Sequence, residues 1–258
     1  MTATKDIASV EDFIKKIDII PNDCPSSVYR GEGQKFKEPC KPKLFRKVTN
    51  SIKPDIFNGF RDEIHRVEKW FNAISLSEGK VPQVSGDFEK LALAQHYGVT
   101  TRLLDWTLNP LVALWFACFD SDGNDGYIYS YNPVVIDLSF VKEEILRPFP
   151  SDRYNAISLN PFGMENKATI KKQAVSPFKD VHFFQPKNFP DARLVSQSAV
   201  LSIHPNDKHD VTSQLTFKIP AAKKELILRE LDIFGINIRS MGMATRDRLA
   251  ELGDRKIT

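Results

Sequence analysis

Within residues 91–117 the hydrogen-bonding side chains of Gln95, His96, Arg102, Asp105 and Thr107 sit inside a largely apolar run. A segment built only for core stability avoids such groups, because each needs a partner once it leaves water. The pattern is that of a polar site set into a packed wall. Arg102 and Asp105 stand three residues apart, so a strand carries them on opposite faces and they do not pair with each other. If buried, each needs its own partner. Either they join a salt-bridge network linking strand to helix, or they act on a ligand. His96 sits near a helix C-terminus, where the dipole favours it, and structural use is its simpler reading.

Two other stretches carry candidate groups. Tyr29-Arg30-Gly31 ends a predicted strand at a permissive glycine. An arginine there can project its fork into a cleft, and the glycine lets a ligand approach the backbone. From the tripeptide alone, a surface arginine at a strand end is the simpler reading. Arg193, Val195 and Gln197 share one face of a predicted strand. Gln197 does not titrate, so it is no general base, but it can accept a hydrogen bond from a hydroxyl and fix its position. No GxGxxG or GxxxxGK[ST] loop is present, which disfavours Rossmann and Walker nucleotide sites. No GxSxG elbow is present either.

These groups must be positioned by a mixture of helices and strands. Apolar spacing predicts helices at 7–18 and 54–75, the latter through Ile56, Phe60, Ile64, Val67, Trp70, Phe71 and Ile74. Asp87 is placed to cap a helix that Gly98 ends near Tyr97. Asn109-Pro110 opens a further helix, with Asn as cap and Pro at the first helical position. That helix is apolar on all sides and so is buried. Strands are predicted at 26–31, 101–106, 127–131, 193–203, 214–219 and 237–239, and helices at 221–234 and 245–252. Residues 141–192 contain six prolines and read as a long irregular insertion. There is no regular βαβ alternation, which favours an α+β domain.

Composition narrows the function classes. The chain has 258 residues, a net charge of +3 and 18 Phe, enough for one large domain with a sizeable core. No apolar stretch reaches the roughly 20 residues of a membrane span. The N-terminus lacks a basic-then-apolar leader, which predicts a cytoplasmic protein with no membrane partner. Cys24, Cys40 and Cys118 have no CxxC spacing, and the five histidines form no HxH or HxxxH pair, so no metal site is expected. Residues 30–80 carry twelve Lys/Arg against seven Asp/Glu. A basic face there can meet an anionic ligand, although a solvated face is the simpler explanation.

Taken together, the motifs resemble those of the FRG-domain family, named for an aromatic-Arg-Gly motif near its start. Tyr29-Arg30-Gly31 matches with Tyr for Phe. Residues 94–117 look like the family's central signature almost throughout. Arg193-x-x-x-Gln197 is similar to the late Arg-x-x-x-Gln strand, with Ala199 and Leu201 where Gly and Phe are usual. Residues 227–252 are similar to the closing helix and Gly-Ile segment, but Met241-Gly-Met-Ala replaces the usual Phe-Pro-Asp. The resemblance covers residues 26–252, with 1–25 as a helical N-terminal extension.

FRG domains are thought to be remote relatives of ADP-ribosyltransferases. The resemblance implies a single α+β domain with an ADP-ribosyltransferase-like split β-sheet flanked by helices and a NAD cleft. It implies an enzyme that uses NAD as substrate, without a metal, to modify a macromolecular acceptor. A nucleic acid, in particular RNA, is favoured over protein. It also implies a toxin role in bacterial defence, with a neutralising antitoxin as a possible partner. Arg30, Gln197 and Asp105 are then the catalytic candidates. Tyr29, Arg30, Gly31, Thr101, Arg102 and Thr107 are the candidates for binding NAD. The alternatives are a non-catalytic nucleotide- or nucleic-acid-binding module and a NAD glycohydrolase.

Overall fold

Among the described residues eight strands form one mixed sheet, and its order explains where the polar segment ends up. The computed structural model describes residues 4–17, 27–46, 63, 65–74, 87–119, 123–133, 136–137, 181–185, 195–204, 211 and 213–243. The start of the helix expected at 54–75, most of the 141–192 insertion, Arg193 and the helix expected at 245–252 lie outside these residues. The strands are β1 (Thr4–Asp6), β2 (Val28–Glu32), β3 (Leu103–Thr107), β4 (Gly126–Tyr131), β5 (Ile136–Asp137), β6 (His182–Phe184), β7 (Ala199–Ile203) and β8 (Leu215–Ile219). Their order across the sheet is β1-β8-β4-β2-β3-β7-β6-β5. The outer pairs β1/β8 and β5/β6 are parallel, and the rest are antiparallel. The fold is α+β, in one domain.

The helices are α1 (Val10–Ile17), α2 (residues 65–74), α3 (Asp87–His96), α4 (Pro110–Phe119) and α5 (Lys224–Ile233). None of the described helices is long and apolar enough to cross a membrane. Helix α4 starts as its sequence requires. The Asn109 side-chain oxygen accepts from the Leu111 amide at 3.0 Å, and Pro110 needs no donor of its own. Its residues Val112, Ala113, Leu114, Trp115, Ala117 and Cys118 are buried. Helix α3 ends at Gly98, whose φ of +87° suits glycine, and Val99 closes the turn onto the Ala94 carbonyl at 3.0 Å.

The β3-α4-β4 unit places its two parallel strands on either side of β2, so α4 crosses directly over β2. A Cβ on Gly31 would overlap the Ala113 carbonyl oxygen and stand 2.7 Å from the Ala117 amide nitrogen. Gly31 therefore lets a helix, not a ligand, approach the strand. Tyr29, on the same face, shares a core with Phe13 of α1, Val112 of α4, Ile227 and Leu231 of α5, and Phe217 of β8. On the other half of the sheet, Leu103, Leu201 and Ile203 pack against Val67 of α2 and Leu91, Ala92 and Ala94 of α3. The opposite face gathers Val28, Leu104, Trp106, Tyr129, Phe183 and Val200 beneath Cys40 and Val211.

Three expectations differ from the structure. The segment 1–25, expected as a helical extension, supplies β1 on the edge of the same sheet and puts Ile7, Val10 and Phe13 into the same core. The strand expected from 193 begins only at Ala199. Val195 and Ser196 are helical and Ser198 adopts a left-handed φ of +46°, which breaks the alternation placing Gln197 on a strand face. The strand expected at 237–239 is a turn, because the Asn237 side chain accepts from the amides of Arg239 and Ser240, both at 3.0 Å.

Candidate functional site

Strand β2 meets β3 at one residue pair, Tyr29 with Thr107, whereas β3 pairs with β7 over five residues. Beyond that pair β2 leaves β3, and the sheet opens into two four-stranded halves. A strand edge opened in this way exposes backbone groups that need partners. Arg30 supplies one. Its Nη1 donates to the Asp105 carbonyl oxygen at 2.8 Å, spanning the gap where the β2 backbone no longer reaches. Its Nε donates to Glu32 Oε1 at 3.0 Å. Arg30 and Glu32 alternate with Tyr29 and Gly31 and share the face of Val28, so both project from the face opposite α4.

Glu32 is the hub of this seam. Its side chain is 1% exposed, and its Oε1 also accepts from Arg46 Nη2 at 3.0 Å. Its Oε2 has no hydrogen-bond partner among the described residues. Arg46 is fixed by a bond from Nε to the Lys41 carbonyl at 2.9 Å, and its guanidinium stacks over Phe36 at 4.0 Å. The shared carboxylate acts differently on its two partners. Burial pulls the Arg30 pKa down, but Glu32 and then Asp105 more than offset it, and the net direction is up. For Arg46 burial prevails over the help from Glu32, with repulsion from Arg30 added, and the net direction is down. Burial first, and Glu32 next, push the neighbouring Tyr129 phenol up.

On the other lip, Asp105 is exposed and its Oδ2 accepts from Gln95 Nε2 at 2.8 Å. Thr101 donates to Gln95 Oε1 at 2.6 Å and accepts from the Leu103 amide at 3.1 Å. Arg30, Glu32, Arg46, Asp105, Gln95 and Thr101 are thus one connected polar network along the seam.

Residues 25–126 match the family model of the FRG domain. The matched segment contains β2, α2, α3, β3 and α4, and it includes Tyr29-Arg30-Gly31 and the 94–117 stretch, while the stretches at 193–201 and 227–252 lie outside it. No curated protein and no solved structure matches the chain.

The remaining candidate residues make contacts within the chain itself. Arg102 does not pair with Asp105. It is 1% exposed and grips Glu63, equally buried, through its backbone amide at 2.6 Å, Nε at 2.7 Å and Nη2 at 2.5 Å. This is the strand-to-helix salt bridge left open as an alternative to ligand binding. Thr107 is buried and donates to the Gln197 carbonyl at 2.7 Å while accepting from the Asn109 amide at 2.9 Å. Thr101 is buried within the Gln95 relay. Tyr29 and Gly31 face the helices. Gln197 sits in the turn before β7, with its Nε2 on the Met241 carbonyl at 2.9 Å. Gln197 lies in the turn before the paired register of β7, which begins at Ala199 level with Tyr29. Arg30 and Asp105 are brought together, and Gln197 does not join them.

Sequence reasoning missed Glu32, Arg46 and Glu63. Glu32 follows the Tyr-Arg-Gly motif directly, and the strand period puts it on the face of Arg30, which was the available signal. Glu63 and Arg46 reach the site only through tertiary packing. Among the described residues no group of three His, Cys, Asp or Glu is placed to hold a metal ion.

Proposed function

We propose that the chain transfers ADP-ribose from NAD to a macromolecular acceptor, with the open seam as its NAD site. One observation carries this reading. The sheet splits at Tyr29–Thr107, and Arg30, 17% exposed at its side chain, stands in the split between two carboxylate-bearing residues. Cleavage of the nicotinamide–ribose bond builds positive charge on the ribose, which a site must orient, stabilise and shield from water. Arg30 is the donor that fixes a ribose oxygen. Glu32 and Asp105 supply negative charge beside the developing cation. This moves the hydroxyl-orienting role away from Gln197, whose Nε2 donates to the Met241 carbonyl. Exposed Lys35, Lys37 and Lys43 in the loop after β2 favour a nucleic-acid acceptor, RNA in first place, through phosphate contacts. A toxin role held in check by an antitoxin follows as a corollary, read by growth arrest on expression that Arg30→Lys relieves.

The test incubates the protein with labelled NAD and separate pools of protein, DNA and RNA. The reading requires label in one pool and its loss in Arg30→Lys, which keeps the charge but not the fork. Equal labelling by Arg30→Lys overturns the assignment. A second reading is favoured by the two bonds Arg30 makes within its own chain, which suit a structural clamp in a non-catalytic binding module. NAD binding in calorimetry without nicotinamide release selects that module. Free ADP-ribose without any acceptor selects a glycohydrolase.

A further inference from the structure

We propose that the loop after β2 and the outer face of β4 form a surface for an unpaired stretch of nucleic acid, with one base on Tyr127 and the neighbouring phosphates on Lys35, Lys37 and Lys43. The inference rests on the acceptor part of the reading above and names the form that acceptor takes, a single strand and not a duplex.

The charge of the loop carries the first half of the argument. Residues 33–46 hold Lys35, Lys37, Lys41, Lys43 and Arg46 against one acid, Glu38. Lys41 pairs with Glu38 at 3.0 Å, and Arg46 pairs with Glu32 at 3.0 Å. Lys35, Lys37 and Lys43 are exposed and form no ion pair among the described residues. These three charges stand on an anchored frame. At one end of the loop Lys224 Nζ donates to the Gly33 carbonyl at 2.7 Å. At the other, Arg46 Nε donates to the Lys41 carbonyl at 2.9 Å, and its guanidinium lies over Phe36 at 4.0 Å. Between them Cys40 is buried against the sheet. A surplus of cations held in place draws a polyanion, and phosphates are the groups it meets.

The sheet beneath carries the second half. The described helices α1 to α5 pack on the face that holds Tyr29 and Leu103. The cluster on the opposite face contains no residue of these helices. Tyr127 projects from that opposite face, level with Glu32 in the register. Its ring is half-buried, and Lys35 Nζ stands 5.9 Å from the ring centroid, so the loop brings a cation to an aromatic face. Tyr129, buried and two residues on, lies nearly parallel to it at 15°. On the β8 side Lys218 is held by Asp125 at 2.9 Å, so the uncompensated charge lies on the loop side of the ring. A ring with cations beside it stacks a base while the cations hold the adjoining phosphates. Only an unpaired base reaches such a ring. In an RNA duplex the base faces are already stacked, and the deep, narrow major groove excludes side chains.

Fluorescence anisotropy of the full chain tests the inference, with labelled oligouridylate, the matching oligodeoxythymidylate and an RNA duplex of equal length. Three phosphate contacts to a single strand give a slope of about −2 in log affinity against log salt. The triple variant Lys35→Gln, Lys37→Gln, Lys43→Gln is expected to flatten the slope by about that amount. Tyr127→Leu is expected to weaken both single strands about tenfold with the slope unchanged, the loss of one stacked base. Tyr127→Phe keeps the ring and is expected to bind like the parent, which separates lost stacking from a lost fold. The duplex is expected to bind more weakly and to ignore the change at Tyr127. Either single strand bound in this pattern supports the inference, and their relative affinity tells RNA from DNA. Duplex affinity equal to that of the single strands, an unchanged slope in the triple variant, or parental binding by Tyr127→Leu overturns it, as does binding of none of the three probes. Single-strand binding in this pattern with no transfer of label from NAD overturns the transferase reading and leaves this one standing. Label reaching RNA at the parental rate in both Tyr127→Leu and the triple variant overturns this one and leaves the transferase.

Discussion

Replacing Arg102 by methionine separates a structural role from a ligand-binding one. The side chains of Arg102 and Glu63 are both 1% exposed, and the Glu63 carboxylate accepts from the backbone amide and Nε of Arg102 and forms an ion pair with its Nη2. Arg102→Met keeps the backbone donor and most of the stem volume but removes both guanidinium contacts. Glu63 is left as a buried charge with one of its three contacts to that residue. Breaking a buried ion pair from one side costs about 3–5 kcal/mol. In a domain of this size each kcal/mol is worth roughly 2–4 °C, so the midpoint of thermal unfolding falls by roughly 6–20 °C. Adding Glu63→Gln removes the stranded charge while keeping an acceptor for the Arg102 amide. The double variant R102M/E63Q is therefore expected to recover at least half of the loss. Urea unfolding at pH 7, followed by tryptophan fluorescence, gives the three free-energy differences of the cycle. A single variant within about 1 kcal/mol of the parent would refute the reasoning. So would a stable Arg102→Met protein that no longer binds NAD, because the residue would then be a ligand group after all.

Two further outcomes follow from the packing. Gly31→Ala puts a methyl group into the backbone of α4 at Ala113 and Ala117, which cannot yield as a side-chain tip can. A loss of about 3 kcal/mol or more is expected in the same urea assay, and a fully stable Gly31→Ala protein would show that β2 and α4 do not pack this way. Burial pushes the Cys118 thiol up from an ordinary 9.0 to about 12, and it pushes Cys40 and Tyr129 up as well. Each of these groups stays protonated in the folded chain at a pH where the unfolded chain has lost its proton. The unfolded state binds fewer protons there, so stability falls as pH rises from 9 towards 12. Cys118→Ala is expected to make that alkaline decline shallower, measured as urea midpoints at pH 8 and pH 10.5. An unchanged slope would remove Cys118 from the account.

Much of the scaffold was legible along the chain because it rests on local rules. Asn109-Pro110 capped α4 as its side-chain chemistry requires, and Gly98 stopped α3 in the left-handed region that suits glycine. The separation of Arg102 from Asp105 followed from strand alternation, and each found a different partner, Glu63 and Gln95. Where a single residue redirects the chain, the pattern failed. Ser198 turns left-handed and ends the alternation that had placed Gln197 with the site, and Asn237 folds its side chain back onto the next amides. The edge strand β1 is three residues long and has no period to read.

The sequence by itself determined that 109–117 is a capped, buried helix preceded by a polar stretch, and that Tyr29-Arg30-Gly31 lies in a strand. Those are properties of neighbours, set by torsions, caps and periods of two and 3.6 residues. Only the tertiary structure decided what each polar group is for. It placed α4 over Gly31 and gave Arg102 to Glu63 from 39 positions away. It opened the sheet beside a single strand pair, so that Arg30 and Asp105 became the two lips of one seam. A partner for a buried charge is chosen by distance in space, and distance in space is set by the packing of elements far apart in the chain.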